Sequence, residues 1–336
     1  MHNEDQLVER IVRTVPSVLE RRGKNTLGLG IGDDAAVLSP HSHKDWVLSC
    51  DAFLEGVHFL PNAHPPDSVG YKSLVRATSD LAAMGASPRY FLMTLALPAS
   101  RIGSWLDAFL AGLGRASRYL GMRLIGGDTT RYRTVAISIT VLGEVSRRRA
   151  LTRSGAKPGD LIYVTGKLGR AQLGLELMRR KGLARRKELR TLLLQHLYPR
   201  IHVKLGEWLA RNRIATAMMD ISDGLSTDLA RLCSASGVGA RIDPHLLPHV
   251  TIPATLFRAA RKLKLNPFQM ALHGGDDYGL LFTVPPQRAR RLQRAPDFSN
   301  LTRIGEITSG RKILLVSDDG SATPLEARGW DPFSHK

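Results

Sequence analysis

The chain has 336 residues, 43% of them hydrophobic and 31 of them glycine, which is enough for two ordinary domains with a core each. No run of about 18 apolar residues occurs, and the start of the chain is acidic and polar (Glu4, Asp5), without the basic and then apolar order of a signal peptide, so a soluble, cytoplasmic protein without a membrane span is expected. Only Cys50 and Cys233 are present, too few for a disulfide framework or a four-ligand zinc site, and the net charge of +18 is gathered in arginine runs at 147–149, 179–190 and 288–294 that lack interleaved aromatics. That charge reads as solvated surface, and nucleic acid is not the expected partner.

Apolar positions at helical spacing predict a helix over residues 4–22, with Pro16 as a break or kink. A glycine-rich turn follows at residues 28–34, then strands at Ala35 to Leu38 and Trp46 to Cys50. Asp67 to Gly85 reads as a long helix, Tyr90 to Leu97 as a buried strand, Gly103 to Leu120 as a helix and Thr134 to Val145 as a strand. The basic loop from Arg147 ends in the turn signal Lys157-Pro158-Gly159-Asp160, and the domain boundary is placed there, giving domains 1–149 and 150–336. The second half continues with a strand at Leu161 to Val164, helices at Arg170 to Arg180, Lys187 to Leu197 and Val203 to Arg211, and a strand at Thr216 to Met219 running into Asp220. A helix at Leu225 to Ala235 and strands at Val238 to Ile242, Tyr278 to Val284 and Ile313 to Val316 complete it. The expected class is α/β of the α+β type, two mixed domains.

The chemistry is carried by acids at strand ends and glycine turns: Asp33, Asp34, Asp51, Asp80, Asp128, Asp220, Asp223, Asp276 and Asp277. Two carboxylates about 4 Å apart repel by roughly 4 kcal/mol at an effective dielectric near 20, a cost that cations relieve. Oxygen donors without His or Cys suit magnesium, which takes one or two carboxylates and leaves places for phosphate and water. Residues 126–131 (GGDTTR) read as a glycine turn able to approach phosphates, and residues 220–224 (DISDG) as an acid pair at a helix N-terminus, where Ser222 or Asp223 could instead be a simple N-cap. Neither a Walker-type phosphate loop nor a protein-kinase signature is present, so any nucleotide site rests on metals and acids.

Taken in order, the stretches GIGDDAAVL (30–38), SCD (49–51), HFLP (58–61), Tyr71-Lys72 with SDLAAMGA (79–86), LIGGDTTR (124–131), RALTRSGAKPGD (149–160), DISDGL (220–225) and GGDDY (274–278) closely resemble the thiamine-monophosphate kinase family. That family shares a superfamily with aminoimidazole ribonucleotide synthetase and selenophosphate synthetase. The resemblance implies ATP-dependent, magnesium-assisted phosphorylation of thiamine monophosphate to thiamine diphosphate in a homodimer joined through its N-terminal sheets. The N-terminal domain would bind ATP and magnesium, and the C-terminal domain would complete the active site. Position by position, it implies magnesium ligation by Asp34, Ser49, Cys50, Asp51, Asp80, Asp128, Asp220 and Asp223. ATP contacts fall on Gly127, Asp128, Arg153 and Ser222, and thiamine monophosphate contacts on His58, Asp276 and Trp330, while Asp128, Arg153 and Asp223 would act in the transfer itself. Three positions depart from the family pattern: Cys50 stands where Thr is usual, leaving only its carbonyl as a magnesium ligand, Asp276 where Glu is usual, and Gly279 where another acid is common. Selenophosphate synthetase needs a reactive cysteine ahead of the first acidic loop, and a carbamoyl-dehydrating maturation factor ends in one; neither is found. A basic nucleic-acid binder that lost catalysis would not be expected to keep all six aspartates.

Overall fold

A computed structural model describes residues 10, 13–15, 27–29, 37–38, 43–180, 190–246, 260, 264–317 and 319–331. Residues 30–36, with Asp33 and Asp34, lie outside these, as does most of the helix expected at 4–22. The chain divides into two compact units, Met1–Leu81 with Ala86–Arg148, and Ala82–Gly85 with Arg149–Lys336.

In the first unit β1 (Leu27–Leu29) and β2 (Val37–Leu38) form an antiparallel pair. A second, four-stranded sheet is built from β3 (Lys44–Leu54), β4 (Ser87–Leu97), β5 (Arg123–Arg131) and β6 (Ala136–Ser146) in the order β3-β6-β4-β5. Helices α1 (Pro66–Ala83) and α2 (Ser104–Leu120) follow β3 and β4. Side chains alternate across a strand, so each strand contributes one row to either face. The inner row holds Phe53, Phe91, Met93, Leu95, Ile137, Ile139 and Val141, all buried, with Leu74, Val75 and Leu81 of α1 and Phe109, Leu110 and Leu113 of α2 also in the core. The outer row holds Leu48, Cys50, Ala52 and Thr94, all exposed.

Two of the local expectations change. β3 does not end at Cys50 but continues through Asp51 to Leu54, because it pairs residue for residue with β6 as far as Ala136. The segment GGDTTR is not a turn but the body of β5, parallel to β4 with Met93 opposite Gly127 and Thr94 opposite Asp128. A Cβ at Gly127 would lie 1.9 Å from the Met93 carbonyl oxygen, so glycine here serves a close backbone approach.

The second unit is a seven-stranded mixed sheet ordered β13-β12-β9-β11-β7-β10-β8. Its strands are β7 (Leu161–Thr165), β8 (Ala217–Ile221), β9 (Gly239–Ile242), β10 (Gly279–Val284), β11 (Leu301–Thr308), β12 (Ile313–Val316) and β13 (Ala322–Pro324). Its helices include α3 (Arg170–Arg179), α4 (Arg190–Leu197), α5 (Val203–Arg211), α6 (Leu225–Ser236) and α7 (Pro267–His273). Alternation along β8 and β10 feeds two cores. Met219, Ile221 and Leu281 join Leu225, Leu229 and Leu232 of α6, while Met218, Leu280 and Phe282 join Leu205 and Leu209 of α5. Strands β11 and β13 and helix α7 were not anticipated from the sequence.

Candidate active site

In the first unit the inner end of β3 faces α1. The Ser49 hydroxyl donates to Asp80 Oδ2 at 2.5 Å, and one helical turn earlier Arg76 Nε donates to Asp51 Oδ2 at 3.1 Å. Arg76 and Asp80 are four residues apart on α1, while Ser49 and Asp51 are two apart on β3, so a helix face and a strand face meet in register. The Arg76 guanidinium also lies over the Phe53 ring, 6.0 Å from its centroid, and the His58 ring stacks on the same Phe53, with centroids 5.8 Å apart. His58 Nδ1 accepts the Leu54 N–H at 3.0 Å, which leaves Nε2 as the protonated nitrogen of the neutral ring. Ser49, Asp51, Asp80 and His58 are therefore one continuous strip.

Cys50 and Asp128 are not on that strip. Directly opposed residues share a face of a sheet. Asp128 pairs with Thr94, Thr94 with Ser138 and Ser138 with Ala52, which places Asp128 on the outer face. The Cys50 thiol is also outward, 3.4 Å from the Ser138 hydroxyl. Between Asp128 and Thr130, the Thr129 hydroxyl is buried and has no hydrogen-bond partner among the described residues.

In the second unit three segments converge on the turn between β8 and α6. Asp220 is buried at the end of β8. The Ile221 carbonyl accepts from Tyr278 N, the Ser222 carbonyl from Asp276 N and the Asp223 carbonyl from Trp330 N, each at 2.8 Å. Gly329 passes so close that a Cβ would sit 2.1 Å from the Asp223 carbonyl oxygen. Asp276 has φ of 69°. Its carboxylate accepts the Tyr278 hydroxyl at 2.6 Å and lies 3.8 Å from Nδ1 of the buried His196. Trp330 keeps 48% of its surface exposed, so its indole face is available to a ligand. Neither Ser222 nor Asp223 is the N-cap of α6; Gly224 is, without a side-chain cap.

The turn is instead held by Asp228, whose Oδ2 accepts the N–H groups of Asp223 and Gly224 at 3.1 and 3.0 Å. Burial, followed by the nearby Asp223 charge, pushes the Asp228 carboxyl up to about 7 against the opposing pull of Arg231 and the two N–H donors. Arg231 spans both acids, bonding Asp228 Oδ1 at 3.0 Å and Asp223 Oδ2. Arg153 is elsewhere: its carbonyl accepts from Ser236 at the far end of α6, and the neighbouring Thr152 carbonyl accepts from Met218 N near the start of β8.

At the candidate cation positions every polar side-chain atom other than the Cys50 thiol is an oxygen. No group of three or more His, Cys, Asp or Glu side chains gathers among the described residues, so a cation bound there takes few carboxylates. That donor chemistry fits magnesium, which completes its shell with phosphate and water.

The model of AIR synthase related protein, N-terminal domain, matches residues 32–145, and that of the C-terminal domain matches residues 157–317. Thiamine-monophosphate kinase of Escherichia coli strain K12 is 39% identical over 320 residues, covering 94% of either chain. This chain belongs to the thiamine-monophosphate kinase family. Among solved structures, thiamine-monophosphate kinase from Stenotrophomonas maltophilia K279a superimposes with a TM-score of 0.77 at 35% identity, over 94% of this chain and 96% of that one. AaThiL complexed with AMPPCP and TMP superimposes with a TM-score of 0.76 at 30% identity, over 98% of each chain.

Sequence reasoning on this thiamine-monophosphate kinase family chain missed Arg76, Asp228, Arg231, Tyr278 and His196. Arg231 had a signal, lying three residues after Asp228 on a predicted helix, the spacing of helical ion pairs, whereas the partner of Arg76 is Asp51 on β3, which helical spacing cannot indicate. Tyr278 had one too, standing two residues after Asp276 in GGDDY, whereas His196 had none, because its meeting with Asp276 depends on how α4 is placed.

Proposed function

We propose that this chain transfers the γ-phosphoryl group of ATP to thiamine monophosphate, releasing ADP and thiamine diphosphate. The observation that carries this reading is the meeting of DISDG, GGDDY and the Gly329-Trp330 tail around one helix N-terminus: acids, an exposed indole and the positive end of a helix, as an anionic phosphate ester on a cationic ring system requires. The full-length relationship to thiamine-monophosphate kinases, and to AaThiL in complex with AMPPCP and TMP, supports it. Because the second pKa of a phosphate monoester is near 6, the acceptor is already largely ionised at pH 7, and the site needs positioning and charge neutralisation more than a general base.

Magnesium supplies that neutralisation when bound to the nucleotide phosphates. Ser49, Asp51 and Asp80 would hold it in the first unit, with Asp34 from the glycine-rich turn, and Asp220 and Asp223 in the second. Gly127 and Asp128 of β5, and Cys50 through its carbonyl, would act from the outer face of the sheet, and Ser222 would meet the ATP phosphates at the start of α6, while Arg153, whose carbonyl lies at the far end of that helix, would meet the nucleotide away from this turn. Asp276, fixed by the Tyr278 hydroxyl, and Trp330 are the positions of the second unit assigned to thiamine monophosphate, and His58 is the position of the first. The outer face of the four-stranded sheet, with Leu48 61% exposed, is the surface through which two copies pair. No helix among the described residues is long and apolar enough to cross a membrane, and the cytoplasm is the compartment we assign.

The test is incubation of the purified protein with ATP, magnesium and thiamine monophosphate, followed by chromatography. Thiamine diphosphate forming with one ADP per turnover is the expected result. ADP released without thiamine diphosphate would overturn the assigned acceptor.

A further inference from the structure

Two of the acids assigned to cations already hold an arginine each, Asp51 with Arg76 and Asp223 with Arg231. We infer that Arg231 is a built-in counter-cation of Asp223, handed over to Asp228 when a divalent cation takes the Asp223 carboxylate. The inference rests on the reading of Asp223 as a cation ligand and adds a residue that competes for it.

The geometry supplies each part of the exchange. A guanidinium cannot give up its charge by losing a proton in a protein, so it can yield only by moving. The Arg231 side chain is 41% exposed and the Asp223 side chain 24%, which leaves room for that movement. Asp228 is fully buried and its Oδ1 accepts from the same Nη1 that bonds Asp223, each carboxylate taking one of that nitrogen's two N–H groups, so it retains Arg231 after Asp223 has let go. Its other oxygen is engaged by the Asp223 and Gly224 N–H groups and holds the turn in shape through the exchange. Without such a tether, the released arginine would leave the buried Asp228 carboxylate without its paired hydrogen-bond donor. Arg231 is thus a positioning residue that sets how tightly Asp223 binds a cation.

The exchange is read by titrating magnesium alone into the full chain by calorimetry, in wild type and in Asp223→Asn, Arg231→Met, Arg231→Lys and Arg328→Met. Asp223→Asn should weaken magnesium binding; if it does not, Asp223 is no ligand and both the site reading and this inference fall. Given that loss, Arg231→Met should lower the magnesium Kd by about two- to fivefold, the range expected from removing a partly exposed ion pair. Arg231→Lys, which keeps the charge, should stay near wild type. Arg328→Met removes an equal charge from a guanidinium held by Glu326 and should change little. An unchanged or raised Kd in Arg231→Met, or an equal gain in Arg328→Met, would overturn the inference while leaving Asp223 as a ligand. Melting curves of each variant show whether the fold is intact, and since Arg231 is a partly exposed helix residue, Lys and Met should both be accommodated.

Discussion

Asp277 shows how an acid that the sequence groups with the site can serve the fold instead. It stands beside Asp276 in GGDDY, yet its carboxylate turns to α3 and accepts the N–H groups of Gly169, at 2.5 Å, and Ala171, at 3.2 Å, a helix cap rather than a substrate contact. Although the residue keeps some surface, its carboxylate is densely surrounded, and burial pushes it up to about 7 against those two donors. A carboxyl whose folded pKa lies above its unfolded value binds its proton more tightly when folded, so ionising it costs stability. Wild type should therefore lose stability relative to Asp277→Asn as pH rises from about 4 to about 7, with no further divergence above. Urea melts of both proteins at pH 4.5, 6 and 8 check this; a difference independent of pH would mean that the carboxyl does not titrate in that window. Cys233 behaves in the same sense, its thiol pushed up to about 12 by burial, so it is inert while Cys50 is exposed.

At the scale of the element, β5 is the strand whose assignment alters the site. With Gly127 backed onto Met93 and φ of 155°, Gly127→Ala has no room for its methyl group and must push β5 away from β4. A loss of about 2–4 kcal/mol is expected, together with lost phosphate contacts at Asp128. Gly126→Ala next to it meets only a Leu92 side-chain methyl at 3.2 Å and should cost less than half as much. Denaturant melts of the two variants compare them directly, and equal losses would show that β5 is not held by the close approach at Gly127. Residue types that favour turns led the local reading of GGDTTR astray. Parallel pairing with β4 over eight opposed residues overrides that preference.

For the whole molecule, the outer row of the four-stranded sheet is the face proposed above to pair two copies of the chain. Leu48 is its most exposed large apolar side chain. Leu48→Arg places a charge in the middle of the face proposed to pair, so light scattering should show the wild-type dimer shifting to single chains, while far-UV dichroism stays the same. Alkylation of Cys50, on the same face, should then become faster in the variant than in wild type. A dimeric Leu48→Arg with unchanged Cys50 labelling would put the interface elsewhere.

The sequence by itself determined the family, the α/β class and the residue types of the site, since acids, glycines and hydroxyls recur as short contiguous motifs whose chemistry is local. It also placed most helices and strands, because hydrophobic spacing records which side of an element is buried. It did not decide which of those residues meet. Asp51 and Cys50 are neighbours in sequence but face opposite sides of β3, and Asp128 joins the Cys50 side only through the register of three strand pairs. DISDG and the Trp330 tail are about a hundred residues apart and are joined by one backbone hydrogen bond. Facing and proximity are set by long-range pairing and packing, in which each contact depends on elements that local spacing cannot position, and only the tertiary structure supplies them.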